Sequence, residues 1–166
     1  MSEGVNESVA KSTGPVSGSL LGEFEHALDP KKRLTIPSGW RKLLGEDSLV
    51  YVMPDRSGKC LNLLPQAEMD AMRARLAKKA LFDPALSRAA MAIGRMSDAL
   101  SFDSQGRIRI SDRLLQLAGL TTTVTMVGSM TKVCLWNPER LRAEEGEVDL
   151  AQFNAALDLL DRPEGV

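Results

Sequence analysis

The chain contains one passage twice, and this duplication constrains its fold more than any other feature. Residues 26–44 (His26 to Leu44) recur 74 positions later as residues 100–118 (Leu100 to Ala118). Asp29 falls on Asp103, Arg33 on Arg107, Ile36 on Ile110 and Leu43 on Leu117. Apolar residues flank each Asp-x-x-x-Arg, Leu28 and Leu34 in the first copy, Phe102 and Ile108 in the second. A repeated segment defines the structural unit before any single element is assigned.

The correspondence runs on past the motif. Leu49–Met53 lies at the same offset as Thr123–Val127, and after a one-residue gap Lys59–Pro65 matches Lys132–Pro138. Leu34-Thr35-Ile36 and Ile108-Arg109-Ile110 alternate with period two, as half-buried strands do. Pro37-Ser38 and Ser111-Asp112 supply helix-start residues, and Gly45 and Gly119 stand where a short helix ends with φ > 0. Each unit thus reads strand, turn, strand, short helix, strand, turn, strand. A unit of roughly 45 residues has a marginal core of its own, so the two are expected to share one. The fold class is mainly β with helices, α+β.

The boundaries follow from composition and periodicity. Residues 1–20 are rich in Ser, Gly and Val without periodicity, and read as a disordered extension. The units span 22–65 and 98–141. Between them, 66–97 forms a helical connector. Its first helix, over 66–82, carries Met69, Met72, Leu76 and Ala80 at helical spacing. Its second starts at Asp83-Pro84, runs to about Arg95, and sets Leu86, Ala90 and Ile93 on one side. Residues 142–166 form an acidic tail: a linker over 143–149, then an amphipathic helix with Leu150, Phe153, Leu157 and Leu160. That stripe is expected to pack on its own protein.

Several classes of activity find no support. No apolar run approaches the roughly 20 residues that span a bilayer, and no charged-then-apolar leader opens the chain. The expected compartment is the cytoplasm. Cys60 and Cys134 occupy similar places in the two units and read as small buried side chains. There is no C-x-x-C, and His26, the one histidine, reads as an ordinary strand residue. No metal, cofactor or small-molecule substrate is expected. A nucleophile–base pair and a phosphate-cradling loop are also missing, so an enzyme is the weakest reading.

The formal charge of −1 argues against a polyanionic partner until it is divided. Residues 22–141 hold 18 Lys and Arg against 13 Asp and Glu, while the two ends hold 3 against 9. The duplicated part is basic and the ends are acidic. Lys31, Lys32 and Arg33 sit in the first turn, with Arg41 and Lys42 one short helix later. Arg107, Arg109 and Arg113 hold comparable places in the second copy.

An aspartate opening a turn can accept backbone N–H groups two or three residues ahead, and its carboxylate reaches an arginine four positions on. Arginine's planar fork donates in parallel to a phosphate or to guanine O6 and N7. The same pair could instead be a surface salt bridge contributing about 0–1 kcal/mol and no function. The pattern alone leaves both readings open.

The ordered motifs resemble the MraZ family of bacterial transcriptional regulators, built from two SpoVT-AbrB repeats. They are Asp29…Arg33-Leu34-Thr35-Ile36-Pro37, Arg41 and Leu64-Pro65, then Asp103-Ser-Gln-Gly106-Arg107-Ile108, Ala118-Gly-Leu120, Val124…Val127-Gly128 and Lys132…Leu135-Trp136. The likeness covers about residues 22–141 and leaves the ends outside.

The resemblance implies a swapped-hairpin, AbrB-like barrel in which two intrachain repeats interleave their strands. It implies ring-like homo-oligomers and a nucleoid-associated protein binding short direct repeats in double-stranded DNA upstream of its own cell-division and cell-wall genes. Arg33 and Arg107 become the expected DNA contacts with Lys31 and Lys32 beside them, and Asp29, Asp103 and Gly106 shape the turns. AbrB-type barrels also serve as antitoxin-like interaction modules, which is the alternative. The first turn departs from the family in carrying Lys32 where the second keeps Gly106. Either Lys32 adopts φ > 0, costing on the order of 1 kcal/mol, or Pro30 has changed the turn type.

Overall fold

Twice along the chain the backbone runs strand, strand, short helix, strand, strand. The structure, a computed structural model, describes residues 18–165. The first pass comprises β1 (Glu23–Ala27), β2 (Arg33–Thr35), α1 (Ser38–Leu44), β3 (Val50–Pro54) and β4 (Leu61–Leu64). Two helices follow, α2 (Gln66–Ala80) and α3 (Pro84–Arg95). The second pass is β5 (Asp98–Leu100), β6 (Arg107–Arg109), α4 (Asp112–Ala118), β7 (Thr123–Gly128) and β8 (Val133–Trp136). Helices α5 (Pro138–Glu145) and α6 (Leu150–Leu160) come last.

The passes interleave. One sheet has the order β1-β7-β8-β4-β3-β5, and β2 pairs with β6 in a separate two-stranded ladder. Exchanging each strand with its counterpart four places on leaves both orders unchanged. Thus β1 pairs only with β7, β5 only with β3, and β4 lies against β8 at the centre, all antiparallel. No closed barrel forms: β1 and β5 remain the edges of an open sheet. The three-residue strands β2 and β6, each bounded by a tight turn and a helix start, have no backbone left to join it. The fold is α+β, with more residues in helices than in strands.

The core is built from the alternation in the repeat. Leu34, Ile36, Ile108 and Ile110 are all but inaccessible to solvent and pack with Leu44, Val50, Val52, Leu114, Val124 and Leu135. Fully burying an aliphatic side chain of this size stabilises by about 1.5–3 kcal/mol, so these positions carry much of the fold. The short helices end as their glycines require. Gly45 has φ 101° and donates to the carbonyl of Arg41, and Gly119 has φ 66° and donates to that of Gln116. The Asp83-Pro84 signal is real: Asp83 accepts from the N–H of Ala85 and α3 begins at Pro84.

Three expectations change. Leu20, expected in the disordered extension, is buried, and its backbone pairs with Met130; residues 1–17 of that extension lie outside the described residues. Helix α5 occupies the expected junction and part of the acidic linker. Asn137 caps it, accepting from the N–H groups of Glu139 and Arg140, while its Nδ2 donates to the carbonyl of Gly119. Helix α6 forms where expected, but among the described residues nothing covers its stripe: Leu150, Phe153, Leu157 and Leu160 are all exposed.

Candidate nucleic-acid interface

The β2–β6 ladder sorts its side chains by strand alternation. Arg33 pairs with Arg109, Leu34 with Ile108 and Thr35 with Arg107. Side chains of successive residues point to opposite faces. Leu34 and Ile108 enter the core, and Arg33, Thr35, Arg107 and Arg109 share the outer face. Three arginines therefore stand on one small patch, with an Asp-x-x-x-Arg turn at each end.

The two turns have the same construction. In the first, Asp29 Oδ1 accepts from the backbone N–H of Lys31 at 2.9 Å and of Arg33 at 2.8 Å, and Oδ2 accepts from Arg33 Nε at 2.6 Å. In the second, Asp103 Oδ1 accepts from Gln105 and Arg107 N–H at 2.9 Å each, and Oδ2 accepts from Arg107 Nε at 2.7 Å. The N–H of Lys32 donates to the carbonyl of Asp29 at 2.9 Å, and that of Gly106 to the carbonyl of Asp103 at 3.0 Å. Foremost the backbone N–H of the motif arginine, with its guanidinium adding to it, holds each carboxyl below its ordinary value. Each aspartate thus stays charged, and the engaged Nε leaves the Nη1–Nη2 edge of its arginine as a donor pair.

The departure at position 32 is resolved by the backbone. Lys32 has φ 62° and Gly106 φ 74°, so Pro30 has not changed the turn type. Lysine sits in a left-handed conformation that glycine adopts freely. Its ammonium reaches Asp112 Oδ1 at 2.9 Å at the start of α4, and this ion pair holds the Asp112 carboxyl below its ordinary value. Lys31 is exposed.

Each turn is also touched by the other unit. Arg41, on α1, donates from Nη1 to the carbonyl of Gln105 at 3.4 Å, and a Cβ on Gly106 would meet that Nη1 at 1.5 Å. Arginine 41 therefore covers the second turn rather than its own. Nothing local in the sequence announces this contact or Lys32–Asp112, since each joins residues far apart in the chain. Arg113, grouped with the turn cations by its position, instead donates to the carbonyl of Arg95 at 2.5 Å.

The cysteines lie elsewhere. Cys134 on β8 pairs in register with Asn62 on β4, and Cys60, two residues before Asn62, lies on the same side. Cys60 is buried, whereas Cys134 is half-buried and lines a groove beside α5. A hydrogen bond from the Cys60 thiol lowers Cys134 to about 7, and Cys60 itself is pushed up. Among the described residues, no helix is long and apolar enough to cross a membrane.

Residues 95–162 match a family model described as "MraZ protein, putative antitoxin-like". The match reaches through α6, so most of the acidic tail lies within the family pattern rather than outside it. The chain is 33% identical to the Transcriptional regulator MraZ of Chlorobium phaeobacteroides, covering 74% of this chain and 85% of that protein. It is 31% identical to the protein of that name from Saccharopolyspora erythraea, over 80% and 92% of the two chains. With the one from Symbiobacterium thermophilum it shares 35% identity, over 72% and 85%.

Proposed function

The chain belongs to the MraZ family, and from that premise we propose that it is a sequence-specific DNA-binding regulator of transcription whose contact surface is the β2–β6 face. The observation that carries this reading is the common outer face of Arg33, Arg107 and Arg109, with two motif arginines held in register by their aspartates. A pre-oriented guanidinium loses less freedom on binding, and its Nη edge, which in Arg107 also faces Asp29 Oδ2 at 3.8 Å, suits phosphate or guanine. Arg33 and Arg107 are the principal contacts. Lys31 adds a phosphate contact, and Lys32 does so by leaving Asp112. Asp29, Asp103 and Gly106 shape the turns.

In this reading residues 22–65 and 98–141 are two SpoVT-AbrB repeats, joined by the connector 66–97. The protein is cytoplasmic and nucleoid-associated, is not an enzyme, and controls its own cell-division and cell-wall gene cluster. Several copies in a ring engage successive short direct repeats, so that weak single contacts add to an avidity roughly 10²–10⁴ above one site. The antitoxin-like reading makes the same fold a protein-interaction module with no DNA operator.

A gel shift on the DNA upstream of the protein's own gene tests the proposal. Arg33→Ala and Arg107→Ala together are expected to abolish the shift. Arg107→Ala alone should weaken it by about 1–3 kcal/mol if it reads a base, or lower the salt slope by about 1 if it neutralises a phosphate. Unchanged binding by the double variant would refute the assignment. A partner protein retained in fixed ratio, with no DNA bound at low salt, would favour the interaction module.

A further inference from the structure

The two cysteines come from different passes of the chain, yet the interleaved sheet brings their side chains together. Asn62 on β4 stands opposite Cys134 on β8, and Cys60 lies two residues before Asn62, so both thiols project from one face. They are diagonal neighbours across an antiparallel pair, with backbones about 7–8 Å apart and side chains closer. The thiols meet, and the hydrogen bond between them is the main influence on each. Asn62 completes the cluster. Its Oδ1 accepts from the Cys134 thiol at 3.6 Å, and its Nδ2 donates to Asp55 Oδ1 at 3.2 Å.

The two thiols differ in access. Cys60 is 2% exposed, whereas Cys134 is half-buried and lines an open groove of about 740 Å³ with Ser129, Trp136, Leu141 and Arg142. A small oxidant in that groove meets Cys134 first. The hydrogen bond from Cys60, the charge of Lys132 and a hydrogen bond from Ser129 favour the Cys134 thiolate, against burial and the charge of Asp55. The thiolate is the form that attacks an oxidant. Burial shields Cys60 from solution but leaves it beside Cys134.

We propose that Cys134 and Cys60 form an oxidisable dithiol, a modification site for hydroperoxides in which Cys134 reacts first and Cys60 resolves the product. The Cys134 thiolate attacks one peroxide oxygen and the O–O bond breaks. The departing alkoxide or hydroxide takes up the proton that Cys134 shed, and Cys134 becomes a sulfenic acid. The Cys60 sulfur then attacks the Cys134 sulfur, the S–O bond breaks, and the departing hydroxide leaves as water with the Cys60 proton. Two thiols and one hydroperoxide thus give one disulfide, one alcohol (water when the oxidant is hydrogen peroxide) and one water. Closing the bond draws the two Cα atoms to about 4.4–6.8 Å. Cys60 is placed to make that small move, since it precedes β4 and ends a turn whose Ser57, Gly58 and Lys59 are exposed.

Treating the full chain with stoichiometric hydrogen peroxide, then mapping peptides by mass spectrometry without reduction, tests the site. The wild type should lose both free thiols in parallel and yield the Cys60 peptide joined to the Cys134 peptide. The chain should stay monomeric on a denaturing gel without reductant, and dithiothreitol should restore both thiols. Cys60→Ser should leave Cys134 as a sulfenic acid that dimedone traps, and Cys60→Ala repeats this if a buried serine unfolds the chain. Cys134→Ser should slow oxidation of Cys60 about tenfold or more. A wild type that carries Cys134 to the sulfinic acid while Cys60 stays free overturns the proposal. Linkage only between separate chains does so as well, and so does oxidation of Cys60 at its wild-type rate in Cys134→Ser. Thiols that resist peroxide in the folded protein and react only after unfolding in urea would overturn it too.

Discussion

Arg107 Nη1 lies 3.8 Å from Oδ2 of Asp29, although the two residues belong to different repeats. Asp29 therefore faces two arginines, its own Arg33 Nε at 2.6 Å and the other turn's guanidinium. Among the described residues, Asp103 forms an ion pair only with Arg107. The two turns are unequal in what they support.

That inequality predicts an order among conservative variants. Asp29→Asn should weaken DNA binding more than Asp103→Asn, since it releases both arginines and Asp103→Asn releases one. Titrations of the two variants on the same duplex decide it, and equal losses would mean that the contact across the turns plays no part.

Lys32 offers a stability test. Replacing it with glycine removes a left-handed lysine that costs about 1 kcal/mol. It also removes an exposed ion pair with Asp112 contributing about 0–1 kcal/mol. The net expectation is a midpoint of thermal unfolding higher by about 1–3 °C. Gly106→Ala should act oppositely, because its Cβ would displace Arg41 and the backbone has φ 74°. Its midpoint should fall.

Acid should undo the turns in a defined direction. The Asp29 and Asp103 carboxyls are depressed in the folded protein relative to about 3.9 in an unfolded chain. A depressed carboxyl contributes stability that is fully present above the unfolded value and is lost as pH falls through the folded one. The amide resonances of Arg33 and Arg107 should stay native at pH 5 and shift only well below pH 4. A shift centred above pH 4.5 would contradict the hydrogen-bond geometry.

Cys134 should be the reactive thiol. With its value near 7 and its place on the groove beside α5, it should react with iodoacetamide at a rate rising through pH 7, whereas buried Cys60 stays inert. Mass mapping after brief alkylation reads this directly. Faster labelling of Cys60 would reverse the assignment.

Local signals carried much of this structure. The duplicated alternation located β2 and β6, Gly45 and Gly119 marked helix ends, and Asp83-Pro84 marked the start of α3. Asn137-Pro138 is the same kind of signal and starts α5, but it falls where the repeat was expected to end. Both motif arginines and their aspartates could be read because each contact spans four residues. Arg41 over the second turn and Lys32 on Asp112 depend on how the repeats interleave, which no local pattern encodes. Exposure of the α6 stripe was equally hidden, since periodicity shows that a face is apolar and not what covers it.

The interleaved sheet also sets the order of events during synthesis. Glu23 is paired with Val127, so β1 leaves the ribosome roughly a hundred residues ahead of its only neighbour. The edge β3 offers to β5 stays open until the connector has emerged. Pairings this distant in sequence form slowly, and unpaired edges are prone to association in the meantime.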